Sequence, residues 1–159
     1  MQMLGILRML DATDKELLAA LQENAHLTAQ DLSERLNLSA SQAGRRRQKL
    51  EADGYISAYR AHLDATKIGL SVQAFVEVQL VSHGPEQARS FARLMELRCE
   101  VTSAWTLTGE ADYLLRVYCS DLAALNQLIH DVILPHPAVA RVQSQIVMDQ
   151  LKQDAPLPT

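Results

Sequence analysis

Four cations lie within five residues of one another in LSASQAGRRRQKLEADGYI, residues 38–56: Arg45, Arg46, Arg47 and Lys49. A guanidinium can bind guanine through two parallel hydrogen bonds, and a glutamine amide can do the same for adenine. Arginine and lysine also neutralise phosphates, which fixes register and adds salt-dependent affinity. On a helix beginning at Ser39, itself a DNA-binding candidate, the first turn presents Ser41, Gln42 and Arg45 where base edges would lie, while Arg46 and Lys49 suit backbone phosphates. A charged run alone reads equally as a solvated face. Arg47 falls on the inward stripe between Ala43 and Leu50, where it can lay its methylenes on a core or pair with Glu51 four residues on.

A second group sits in TLTGEADYLL, residues 106–115. Gly109 can take a positive φ that other residues resist. Asp112 heads the returning segment, where its carboxylate can accept backbone N–H groups or meet the ammonium of a small ligand. Capping its own turn is as good a reading of the spacing. Catalytic and metal-binding arrangements are weak. His26, His62, His83, His130 and His136 are scattered, with no pair at metal-ligand spacing and no phosphate-cradling glycine loop. Cys99 and Cys119 lack zinc spacing, and no cofactor is expected.

Helices must position the cations. Thr13–Asn24 carries Leu17, Leu18 and Leu21, with Leu10 just before, at helical spacing. The next helix starts at Thr28, with Asp31 completing a capping box and Leu32 and Leu36 turned inward. The third is capped by Ser39 with Gln42 and stopped by Gly54. Three short helices with tight connections form a helix-turn-helix, and the alternating YISAYRAHL after them is expected to be a wing strand that brings Arg60 into the DNA-binding set.

Beyond the turn-like DATKIG the period changes. Ser71–Val81 places Val72, Ala74, Val76, Val78 and Leu80 on one strand face. Pro85–Arg98 reads as a helix with Ala88, Phe91, Ala92 and Met95 buried. Val101–Thr108 is expected as a strand with Val101, Ser103, Trp105 and Leu107 on one side. A turn, the strand Asp112–Cys119, a helix from Asp121 to Leu134 and a last strand Val139–Met148 complete βαββαβ. The fold class is therefore α+β: a winged helix-turn-helix (1–63), a linker (64–70), a ferredoxin-like domain (71–152) and a loose tail (153–159).

The bulk composition agrees. A chain of 159 residues with 48% hydrophobic content holds a real core, and a net charge of −4 excludes a broadly basic nucleic-acid coat while allowing one local basic patch. The start, MQMLGILRML, is apolar but short, and Asp11 and Asp14 follow at once, so the expectation is a cytoplasmic chain with reduced thiols and no membrane partner.

The segments LDATD, LS…RR…LE.DG.I, LD..KIGL and TGEADYLL, in this order from about Leu10 to Lys152, resemble the Lrp/AsnC family of leucine-responsive and asparagine-type regulators. The resemblance implies a DNA-binding transcriptional regulator, not an enzyme, whose partners are double-stranded DNA and an amino-acid or related effector. It implies a homodimer that assembles further, often to an octamer. Arg46 matches the family's recognition-helix arginine. Gly109 and Asp112 match its effector motif, so Thr106, Thr108, Glu110 and Tyr113 join the candidate effector set. Two positions depart from the pattern: Arg47 replaces a usual aliphatic residue, and Ala111 replaces an often bulky one, which would leave the effector pocket more open. Sirohaem decarboxylases share this architecture, so an enzyme binding tetrapyrrole propionates through the arginines is the alternative.

Overall fold

The computed structural model describes residues 9–81 and 84–159; the apolar start through residue 8 and His83 lie outside the described residues. The chain divides into two compact units. One gathers the described residues through Ala61 together with Lys152–Thr159, and the other is His62–Leu151.

The first unit contains α1 (Ala12–Glu23), α2 (Ala29–Leu36) and α3 (Ala40–Ala52). Each begins at a side-chain cap. The Asp11 carboxylate accepts from the Asp14 N–H, and Thr28 with Asp31 and Ser39 with Gln42 form reciprocal capping boxes. Such caps satisfy backbone donors that a helix start leaves without partners. Asn37 (φ 52°) and Gly54 (φ 78°) take the left-handed conformation that ends α2 and α3. Leu17, Ala20, Leu21, Leu32, Leu36, Ala43 and Leu50 form the core, with Leu10, Leu18, Tyr55 and Ile56 packed against it. Each helix is too short to persist in water alone, so this shared core is what stabilises all three.

The wing strand expected over YISAYRAHL does not form. Tyr55 and Ile56 are fastened by N–H donors to the Leu50 carbonyl, and no strand follows among the described residues before Val72. Alternation marks which side chains can face a core, but a strand also needs a backbone ladder, and the neighbours here are helices. The DATKIG turn does form, with Gly69 at φ 87° and the Leu70 N–H on the Ala65 carbonyl.

The second unit runs β1 (Val72–Leu80), α4 (Pro85–Glu96), β2 (Val101–Thr106), β3 (Tyr113–Cys119), α5 (Leu122–Gln127) and β4 (Val139–Ile146). The sheet order is β2-β3-β1-β4, with every pair antiparallel. Ala74, Val76 and Val78 of β1, Leu115 and Val117 of β3, and Phe91 and Met95 of α4 are buried together on one face of the sheet. Two expectations need correction. The chain from 121 to 134 is not one α-helix: α5 gives way to a π-helical stretch, Leu128–Ile133. In β2, a bulge between Val101 and Ser103 breaks the expected shared face. Val101 pairs with the inward Val117, whereas Ser103 and Trp105 pair with Arg116 and Leu114 on the opposite face.

The tail, expected to be loose, returns to the first unit. The Leu157 N–H donates to Gln22 Oε1 at 2.6 Å, and Gln22 Nε2 donates to the Leu157 carbonyl at 3.1 Å. The division between the two units falls between Ala61 and His62.

Candidate functional site

The helix α3 turns by about 100° per residue, so its three consecutive arginines diverge. Arg45 is exposed and engages no partner among the described residues, and the same holds for Lys49 one turn later. Arg46 turns back onto α1. Its Nη1 donates to Asp11 Oδ2 at 2.7 Å and to Asp14 Oδ1 at 2.6 Å. The Asp14 side chain is only 2% exposed, so the ion pair stabilises a carboxylate that burial would otherwise penalise. Hydrogen bonding to Asp11, then to Asp14, holds the Arg46 guanidinium even further above its ordinary pKa. Arg46, expected to meet a backbone phosphate, joins α3 to α1 in this structure.

Arg47 neither snorkels freely nor only pairs along its own helix. Its Nε donates to Glu51 Oε1 at 3.0 Å, Nη1 donates to the Leu27 carbonyl at 2.8 Å, and the guanidinium lies 4.9 Å from the centre of the Tyr59 ring. Tyr59 in turn donates its hydroxyl to the same Glu51 oxygen at 2.9 Å. Burial opposes the Arg47 charge, but the bonds to Glu51 and Tyr59 outweigh it and raise the pKa.

At the start of α3, Gln42 Oε1 accepts from the Ser39 N–H and hydroxyl at 3.0 and 3.1 Å, and Ser41 Oγ lies 3.1 Å from Ser39 Oγ. Ser39 is thus a cap, and Gln42 can offer a base only its amide donors while the capping box holds. Arg60 is exposed in the segment after α3. The exposed set is accordingly Ser41, Arg45, Lys49 and Arg60, with Gln42 half committed.

The effector candidates do not converge on one pocket. Gly109 has φ 119°, which explains glycine there. The Asp112 carboxylate reaches β1: its Oδ2 accepts the Leu80 N–H at 2.7 Å, and its own N–H donates to the Val78 carbonyl at 3.0 Å. Asp112 thereby fastens the turn to the end of β1. Tyr113 lies on the helix side of the sheet, with its ring 5.1 Å from Phe91 and its hydroxyl on the Ala88 carbonyl at 3.5 Å. Thr106 and Tyr113 line a cleft of about 390 Å³ between α4 and β2, together with Phe91, Met95 and Ala104. Glu110 and Ala111 instead border a shallow depression with Glu77, Gln79, Arg141 and Gln143. Thr108 and Gly109 are exposed at the tip.

Sequence reasoning missed the Arg46 acid pair, the Leu80 N–H and the α4–β2 cleft. Each joins residues far apart in the chain, and no local spacing signals them. No group of histidine, cysteine and carboxylate residues suited to a metal occurs among the described residues, and none of their helices is long and apolar enough to cross a membrane.

A capped three-helix head with exposed cations, joined to an antiparallel α+β domain, defines a DNA-binding regulator with a ligand-binding domain. Family models agree: residues 10–57 match a winged helix-turn-helix DNA-binding domain, and residues 73–157 match the Lrp/AsnC ligand-binding domain. The chain belongs to the Lrp/AsnC family of transcriptional regulators. It is 35% identical to the DNA-binding transcriptional activator DecR of Escherichia coli, over 94% of this chain and 99% of that one. It is 32% identical to the transcriptional regulator AzlB of Bacillus subtilis, over 94% and 96%. Among solved structures, the regulator NMB0573 of Neisseria meningitidis, in complex with L-Met, superposes with a TM-score of 0.90 at 37% identity, covering 94% of this chain and 97% of that one. Its relatives are regulators, and none supports the tetrapyrrole-enzyme reading.

Proposed function

We propose that this regulator reads DNA as a dimer through α3 and changes its binding when an amino acid occupies the region of the Gly109 turn. The observation that carries the reading is the separation of the cations on α3: Arg45 and Lys49 are exposed without acidic partners among the described residues, while Arg46 and Arg47 brace the helix. Arg45 takes the base-reading role, assisted by Ser41 and the Gln42 amide. Lys49 and Arg60 take phosphates. Ser39 acts through its cap.

The effector is a free amino acid or a related metabolite, in line with the L-Met complex of the Neisseria regulator. Thr108, Glu110 and the turn backbone offer polar groups at the tip, and the α4–β2 cleft beside Thr106 and Tyr113 can take an apolar side chain. Asp112 acts by holding the turn on β1. Dimerisation is supported by the open sheet face. Phe75, Leu114 and Tyr118 there are only half covered, and Trp105 is 44% exposed. A second copy would bury this face in a self-complementary contact and place two reading helices one DNA turn apart, roughly 34–36 Å, or a multiple of it. Dimers then assemble toward an octamer, and the protein works in the cytoplasm. The effector's leverage equals its differential affinity for the two assemblies or spacings.

Selection of bound sequences from a random DNA pool, with and without mixed amino acids, tests this. Enrichment of two related half-sites, altered by amino acids, is expected. A pool that remains unenriched would overturn the reading.

A further inference from the structure

The segment Tyr55–Arg60 occupies the position of a wing without a strand ladder. Its first two residues are held by the Leu50 carbonyl and by packing on the core. Beyond them the hold passes to Tyr59, through its ring on Arg47 and its hydroxyl on Glu51. Arg47 is also bonded to Glu51 on its own helix and to the Leu27 carbonyl in the α1–α2 connection. One guanidinium therefore joins three stretches of chain, with Nε, Nη1 and one face engaged. Arginine suits this because its planar fork can donate and stack at once, which a lysine ammonium cannot do. Arg60 follows Tyr59 directly, so the position of Tyr59 limits where Arg60 can reach.

We propose that Arg47 is a positioning residue for DNA binding: it fixes Tyr59 against α3 and so sets how Arg60 meets the phosphate backbone. This rests on the reading above that Arg60 contacts a phosphate. Arg47 would act on DNA only through Arg60, although it sits in a run of cations on the reading helix.

The salt dependence of DNA affinity separates this from a direct contact. Each phosphate contact adds about 0.9 to the slope of log affinity against log salt. Full-length protein and its variants are titrated by fluorescence anisotropy against a duplex from the selection. Arg60→Ala should lower the slope by about 0.9. Arg47→Met and Arg47→Lys should each lower it by up to the same amount, and neither should lower it further in the Arg60→Ala background. Tyr59→Leu, which opens the contact from its outer end and leaves α3 untouched, should reproduce Arg47→Met. Full rescue by Arg47→Lys, or a further loss on top of Arg60→Ala, would make Arg47 a direct phosphate contact and overturn the proposal. An unchanged slope in Arg47→Met, with only a lower melting temperature, would reduce Arg47 to a structural role. If Arg60→Ala itself leaves the slope unchanged, the phosphate reading of Arg60 fails. The clasp is then judged by nuclear magnetic resonance of the Tyr59 ring, which lies against the Arg47 guanidinium: Arg47→Met must shift the ring signals, and unchanged signals overturn it.

Discussion

Helix α3 and the Gly109 turn both present a short polar motif, yet they spread its residues in different ways. On α3, successive side chains rotate by about 100°, so Arg45, Arg46 and Arg47 meet solvent, the α1 acids and Tyr59 in turn. Around the turn, side chains alternate across the sheet, so Tyr113 joins the helix face, Glu110 borders the open face and Asp112 reaches along to β1. In neither place does nearness in sequence mean a shared task. The helix divides one charge type between solvent and bracing contacts, whereas the turn divides several residue types between two faces.

The contrast between bracing and reading breaks most visibly at Arg46. Arg46→Ala removes one charge partner of the buried Asp14. Discounted for the partial exposure of Arg46, the loss should be about 2 kcal/mol in the helical unit, read as a lower melting temperature by calorimetry. DNA affinity should fall with it, because the helix that carries Arg45 is no longer fixed. Arg45→Ala should do the converse. We expect a loss of about 1–3 kcal/mol in operator affinity and relaxed preference at one base position, with melting unchanged, measured by anisotropy on matched and single-base-changed duplexes. On the turn side, Asp112→Ala should loosen the link to Leu80 and abolish the amino-acid response while leaving DNA affinity within about twofold, a change of some 0.4 kcal/mol. Calorimetry with L-methionine and a panel of amino acids checks it, and an undiminished response would show that the turn does not depend on Asp112.

The smallest effect is a pH window at the Arg47 clasp. The Glu51 pKa is lowered, chiefly by the Tyr59 hydroxyl and then by Arg47. A lowered carboxylate contributes stability that is present above its unfolded value and lost as pH falls through the folded one. The Tyr59 pKa is raised, by burial first and by the bond to Glu51 next. That contribution is present below the unfolded tyrosine value and lost as pH rises through the folded one. The clasp should therefore hold across neutral pH and weaken at both acidic and alkaline ends. Nuclear magnetic resonance of the Tyr59 ring follows it, and a ring shift that is flat at both ends would contradict the coupling.

Much of this was legible in the chain because it is local. Capping boxes at Thr28 and Ser39, the glycine stop at Gly54 and the period-two face of β1 depend on residues within a few positions of one another. What was not legible depends on distance or on absent partners. The Arg46 pairs span 35 and 32 residues, so nothing near Arg46 distinguishes it from Arg45. Arg47 looked misplaced because its stripe position favours an apolar side chain, while its partners come from Leu27 and Tyr59. The alternation of 55–63 suggested a strand, but among the described residues no second strand lies beside it. The β2 bulge reversed the facing of Trp105, and a single inserted residue leaves no mark in the pattern of residue types.

The central claim is that adjacent arginines on one helix have opposite duties, and thermal melting of Arg45→Ala and Arg46→Ala without DNA tests it most directly. The account predicts that Arg45→Ala melts with the parent protein and that Arg46→Ala melts clearly below it. If Arg46→Ala melts with the parent and yet loses DNA affinity, Arg46 reads DNA itself and the division of duties is wrong.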